Sequence, residues 1–181
     1  EADLPFYERY TFKNNVWCGI LTFYGLWCWQ IYFYTVLCTR YTFSQNELRF
    51  NNVPICLFLI TQGYFTLYHT LSDAVLRSFY RWAQWPMEEG ELAKAGGLVA
   101  TLVYALFVGL FSVAVAFMET FTIQHFEPYE IHDREAMYKY GSVFYALYFV
   151  VSFPMHVYLE EAKTPHSLKH YVMNAFATCG M

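Results

Sequence analysis

Residues 14–39 contain no Asp, Glu, Lys or Arg, and this uncharged run exceeds the roughly 20 residues a helix needs to cross the hydrocarbon core of a bilayer. Apolar runs recur over residues 16–37, 53–71, 95–118 and 140–159, with polar connectors between them. The pattern predicts an all-α polytopic membrane protein, residues 1–181 forming one membrane domain with four transmembrane helices plus interfacial amphipathic helices. Asn14 and Asn15 are placed to cap the first span. The run Asn51, Asn52, Val53, Pro54 reads as the entry of the second, because Asn accepts from free helix amides and Pro tolerates the first turn.

The connectors refine this picture. Residues 1–13 are polar and aromatic, as suits a segment resting against headgroups. Thr61, Gln62, Tyr64, Thr66, Tyr68, His69 and Thr70 make the end of the second span more polar than lipid contact favours, so they are expected to face protein or a cavity. Asp73 opens a connector through Lys94 whose first part, with Arg77 and Arg81, predicts an amphipathic helix along the interface. An acidic patch, Glu88, Glu89 and Glu91, follows around Pro86. Small residues in the third span, Gly96, Gly97, Ala100, Ala105, Gly109, Ser112, Ala114 and Ala116, permit close helix packing. Pro154 is expected to interrupt the fourth span, and Glu160 and Glu161 mark its exit. The tail, residues 162–181, predicts an interfacial helix or the start of an uncompleted span. Basic residues divide seven to four in favour of the side holding both termini, which points that side to the cytosol, matrix or stroma.

Composition agrees with the membrane reading: 57% of residues are hydrophobic and 14% charged, against about half and a quarter in soluble domains. A net charge of -4 gives no basic footprint, so nucleic acid is not an expected partner. Cys18, Cys28, Cys38, Cys56 and Cys179 form no C-x-x-C pair and read as buried free thiols. The chain begins at Glu1 with no signal-peptide pattern, so the expectation is a removed leader or a missing N-terminal part.

Candidate chemistry gathers in residues 118–154. Glu119 lies where the third span is expected to leave the membrane, where burial would make it a proton donor; the plainer reading is an interfacial carboxylate bonded to a neighbour. Asp133 beside Arg134 is a shielded acid or a loop ion pair, the second being commoner. His125 and His132, with Glu130 and Asp133, match no standard metal-ligand spacing. For His69, a proton-transfer role and an axial ligand for pigment or haem stand beside the preferred reading, a histidine satisfied by a hydroxyl on the next helix. Phe, Tyr and Trp make up 22% of the chain; such rings line lipid pockets, stabilise cations or stack on pigments, and also serve as ordinary interface belts.

The stretches NNVP at Asn51, LYH at Leu67, METFTI at Met118, DREAMYKYG at Asp133 and FYALYFVVSFPM at Phe144 together resemble the cycloeucalenol cycloisomerase family of sterol biosynthesis. The resemblance implies an integral membrane isomerase that opens the 9,19-cyclopropane ring of a sterol, a reaction needing an acid, a shielded carbocation and a base. It requires no cofactor and no metal. On this resemblance Glu119, Glu130, Asp133 and His69 are the candidate acids and bases. Tyr68, Tyr138, Tyr145, Trp29, Asn51 and Asn52 are the candidate substrate or lipid contacts.

The chain also departs from the family pattern, holding Ile31, Ile55 and Gln62 where the family places histidines. Further apolar segments are expected before the first span and after the tail. Two readings follow. One is a sterol isomerase of the endoplasmic reticulum, with membrane lipid or sterol as its partner. The other is a catalytically degenerate subunit of a photosynthetic or respiratory complex in a thylakoid or inner mitochondrial membrane, packing lipid, pigment or partner helices.

Overall fold

The computed structural model describes residues 3–44, 47–83, 97–159 and 165–180. The acidic patch at Glu88, Glu89 and Glu91, residues 95 and 96 of the third predicted span, and Glu160 and Glu161 lie outside the described residues. Among the described residues six helices dominate: α1 Tyr10–Cys28, α2 Gln30–Thr35, α3 Ile55–Trp82, α4 Gly97–Ile123, α5 Arg134–Tyr158 and α6 Leu168–Gly180. α4 packs most extensively on α5, α6 on α1, and α3 against both α1 and α5.

Among the described residues two helices, α4 and α5, are long and apolar enough to cross a membrane. α1 and α3 fall short because Lys13, Asn14 and Asn15 in the first, and Gln62, His69 and several Thr and Tyr residues in the second, dilute their apolar character. Most of α4 is open to the surroundings, with Leu98, Leu102, Leu106, Leu110 and Val113 all more than half exposed. An apolar surface of that extent is what lipid contact requires.

Several predicted boundaries are corrected. The first run breaks at Trp29 into α1 and α2, and α1 starts at Tyr10. Asn14 and Asn15 therefore lie inside the helix and do not cap it. α3 continues without a break to Trp82, so the stretch from Asp73 is not a separate interfacial helix. α4 runs on to Ile123, placing Glu119 inside the helix and not beyond its end. Helix α5 begins at Arg134 and passes through Pro154 uninterrupted, with a π turn over Met137–Gly141. Among the cysteines, Cys18 and Cys179 are buried, whereas Cys28 and Cys38 are exposed.

Two short strand pairs gather the connectors at one end. β1 (Thr39–Tyr41) pairs antiparallel with β4 (Tyr129–Ile131), and β2 (Arg49–Phe50) with β3 (Val53–Pro54). The second pair explains the NNVP motif differently from its sequence reading. Asn51 and Asn52 have φ of 49° and 64°, the two left-handed positions of a tight hairpin that Asn tolerates better than most residues. Asn51 then donates from Nδ2 to the Trp27 carbonyl at 3.1 Å, and the Asn52 carbonyl accepts from the Tyr34 hydroxyl at 2.9 Å. Neither caps α3, which starts at Ile55 with no side-chain cap.

Candidate functional site

α3 and α4 touch through aromatic pairs and separate beside them. The Phe79 and Phe107 rings stack at 3.9 Å with 6° between their planes, and Tyr80 meets Tyr104 at 5.0 Å. Farther along, toward the strand pairs, the helices leave a cavity of about 300 Å³. α3 lines it with Tyr68 and Leu71, and α4 with Phe111, Ala114, Val115, Met118, Glu119 and Thr122. Leu71 and Met118 are about half exposed, 48% and 54%, so the rim opens on the apolar outer surface.

Glu119 is the single ionisable carboxyl in that lining, and its Oε2 is buried with no hydrogen-bond partner among the described residues. A buried carboxylate oxygen without a donor is costly, which favours the protonated acid or a bound partner. Four phenols lie within electrostatic reach: Tyr68 from α3, Tyr145 from α5, and Tyr41 and Tyr129 from the facing strands β1 and β4. Tyr41 meets Tyr129 edge to face at 5.0 Å. Burial pushes the Tyr129 phenol up from its ordinary value, and it raises Tyr41 in the same way. These two strand tyrosines therefore stay neutral and offer hydroxyls and ring faces.

The other sequence candidates are placed elsewhere. Glu130 is exposed on β4, directly across from Arg40 on β1. Asp133 is exposed and caps α5, its Oδ1 accepting from the Ala136 amide at 2.9 Å. Among the described residues no three His, Cys, Asp or Glu side chains come together as a ligand set, and His125 bonds the Phe121 carbonyl at 2.8 Å. Tyr138 packs on Phe117 at 5.2 Å, and Trp29 lies edge-on to Phe144 and Tyr148. His69 is fully buried on the side of α3 away from the cavity lining. Its Nδ1 meets the Phe65 carbonyl at 2.7 Å and its Nε2 the Ser152 hydroxyl of α5 at 3.0 Å, so both ring nitrogens are satisfied.

Over 165 residues, 91% of this chain, the sequence is 34% identical to the cycloeucalenol cycloisomerase of Arabidopsis thaliana. The chain is similar to that enzyme and well diverged from it. It spans about half the length of that relative, 55%. No family model and no solved structure matches.

Measured against the cycloeucalenol cycloisomerase resemblance, the departures fall away from the cavity. Ile31 and Ile55 are exposed on the outer face, 66% and 46%, and Gln62 donates from Nε2 to the Asn15 carbonyl of α1 at 3.1 Å. Their apolar and amide character leaves the Glu119 environment untouched. Sequence reasoning missed the polar groups that join the helices. His156 Nε2 meets Asn14 Oδ1 at 2.9 Å, and Trp17 Nε1 donates to Asn174 Oδ1 at 2.8 Å. Their signal was available in the uncharged polar residues inside apolar runs, Asn14 and His156 above all, since such residues need partners within the bundle.

Proposed function

We propose that this protein is a membrane isomerase that opens the cyclopropane ring of a sterol by proton transfer. The relative's name supplies the reaction class, and one observation carries it to this chain: the partnerless Glu119 carboxyl at an apolar cavity that opens toward lipid. In this reading Glu119 gives its proton to the bridging methylene carbon. The bond from that carbon to the ring breaks, the methylene becomes a methyl group, and positive charge is left on the ring carbon. The Glu119 carboxylate then takes a proton from the adjacent carbon, whose C–H electron pair becomes the new ring double bond. Acid and base are restored, and the product is an isomer of the substrate.

The phenol ring of Tyr68, in the cavity wall, supplies a negative face to the transient cation, and the dry walls exclude water that would trap it as an alcohol. No electron transfer occurs, so the chain's own acid suffices. Its setting is a bilayer crossed by α1, α3, α4 and α5, with α6 against α1, in the sterol-synthesising membrane of the endoplasmic reticulum.

The test is conversion of a cyclopropyl sterol by membranes containing the protein. Replacing Glu119→Gln keeps the shape and removes the acid, and turnover should fall about 10²- to 10⁴-fold, the usual worth of a positioned acid. Asp133→Asn keeps the cap oxygen while removing a carboxylate outside the cavity, and should retain turnover within a few-fold. Wild-type rates in Glu119→Gln, or loss confined to Asp133→Asn, would overturn the assignment of Glu119.

A further inference from the structure

If Glu119 is the acid of the isomerase just described, its carboxyl has to be held at the cavity wall throughout turnover. Glu119 lies in the last turns of α4, a helix with most of its surface open. An apolar helix that rotates against an apolar neighbour exchanges one set of dispersion contacts for another, so packing alone resists rotation less sharply than a directional bond does. A buried hydroxyl pair supplies that direction, because rotation strands both groups. α4 buries two hydroxyls completely, those of Ser112 and Thr120, both 0% exposed. The Ser112 Oγ has no partner among the described residues. Thr120 Oγ1 has two: it donates to the Ala116 carbonyl at 3.1 Å and lies 2.9 Å from the Ser142 Oγ of α5. A hydroxyl has one proton to give, and Thr120 gives its own to Ala116. Ser142 is therefore the donor in the bond between the helices.

The place of Ser142 depends on the π turn. It follows Met137–Gly141 directly, and the extra residue of a π turn shifts those after it by one position around the helix. In an unbroken α-helix from Arg134 the place facing Thr120 would fall to Gly141, which has no side chain. On α4, adjacent residues point about 100° apart. With Thr120 turned to α5, Glu119 is turned to the side where Tyr68 and Leu71 of α3 complete the cavity. We propose that Thr120 and Ser142 are positioning residues for Glu119, their bond fixing the rotation of the last α4 turns against α5 and so keeping the carboxyl at the cavity wall. Neither residue is in the cavity lining, so both act through Glu119.

The test reads the carboxyl itself. Its infrared bands are those lost in Glu119→Gln, recorded for the protein in lipid, with turnover of a cyclopropyl sterol measured in parallel. Ser142→Ala and Thr120→Val, the second of nearly unchanged shape, should displace or broaden these bands. They should also lower kcat roughly three- to tenfold, the worth of one hydrogen bond, with KM unchanged. Thr120→Ser keeps the hydroxyl and should show the wild-type bands and kcat. Ser152→Ala loses a buried bond elsewhere on α5, and should lose stability while keeping the bands. Wild-type bands in both Ser142→Ala and Thr120→Val, or the same displacement in Ser152→Ala, would overturn the proposal. A wild-type protein that converts no sterol refutes the isomerase, and the bands still decide the positioning: displacement confined to the two hydroxyl variants supports it, and unmoved bands refute it.

Discussion

At the residue scale, the same kind of side chain takes opposite roles according to what surrounds it. Glu119 is a carboxyl without a donor in an apolar wall, whereas Glu47 accepts from the Phe43 amide at 2.9 Å and the Ser44 amide at 3.4 Å and pairs with Arg49. Slight burial acts to raise the Glu47 carboxyl, but these donors outweigh it and hold it below the ordinary carboxylate value. A lowered folded value means that the contribution is present above the unfolded carboxylate value, about 4.3, and is lost as pH falls through the folded one. Glu47→Gln should therefore have a lower unfolding midpoint than wild type at pH 7, and the two should converge in strong acid. An equal difference at both pH values would show that charge has no part in it. Asp133 supplies the third case, a carboxylate that reads as an acid in sequence and serves as a helix cap in the fold.

Among the elements, α5 shows how a motif can be structural. The stretch DREAMYKYG, one of the strongest marks of the family resemblance, forms the cap and π turn at the start of this helix. Gly141 closes that turn against α2 and Leu37. A Cβ there would stand 2.9 Å from Met137 Sδ and 3.2 Å from Leu37 Cδ1, and both neighbours are buried. Gly141→Ala should cost about 1–3 kcal/mol, the usual penalty for overpacking, seen as a lower unfolding midpoint in detergent. Adding Met137→Ala should recover part of the loss; failure of the pair to recover any would place the strain elsewhere. A π turn in this position also advances the following residues around the helix, bringing Tyr145 toward the Glu119 side and Tyr148 toward Trp29.

For the whole molecule, polar bonds between helices hold an otherwise apolar bundle in register. His69 on α3 and Ser152 on α5 form one such bond at 3.0 Å in the centre of the core, with the Trp17 ring of α1 edge-on at 5.0 Å. Ser152→Ala strands a fully buried ring nitrogen, and should cost about 1–3 kcal/mol. Unfolding of the purified protein in mild detergent measures it; unchanged stability would mean that water or another group replaces the hydroxyl at no cost. The cavity is a property of the same scale, since it exists only where α3 and α4 separate beyond their stacked rings.

The sequence by itself determined the helical class, the family resemblance and the choice of Glu119 as a candidate acid, and its apolar runs marked two helices able to cross a membrane. Each follows from local information: uncharged length, motif order, or a carboxyl beside an apolar run. Tertiary structure alone decided which candidates share a site. Tyr68 lines the same cavity as Glu119, and Tyr41 meets Tyr129, because helix packing and the β1–β4 pairing join segments distant in the chain, while Glu130 and Asp133, although near Glu119 in sequence, are turned to the surface. Of the four predicted spans, α4 and α5 are long and apolar enough among the described residues to cross a membrane. Uncharged length marks where a helix is able to enter lipid, but the inward polar faces of α1 and α3 are matched by Asn14, Gln62, His69 and their partners across the bundle. Those compensating bonds are made between helices, and no average over one helix contains them.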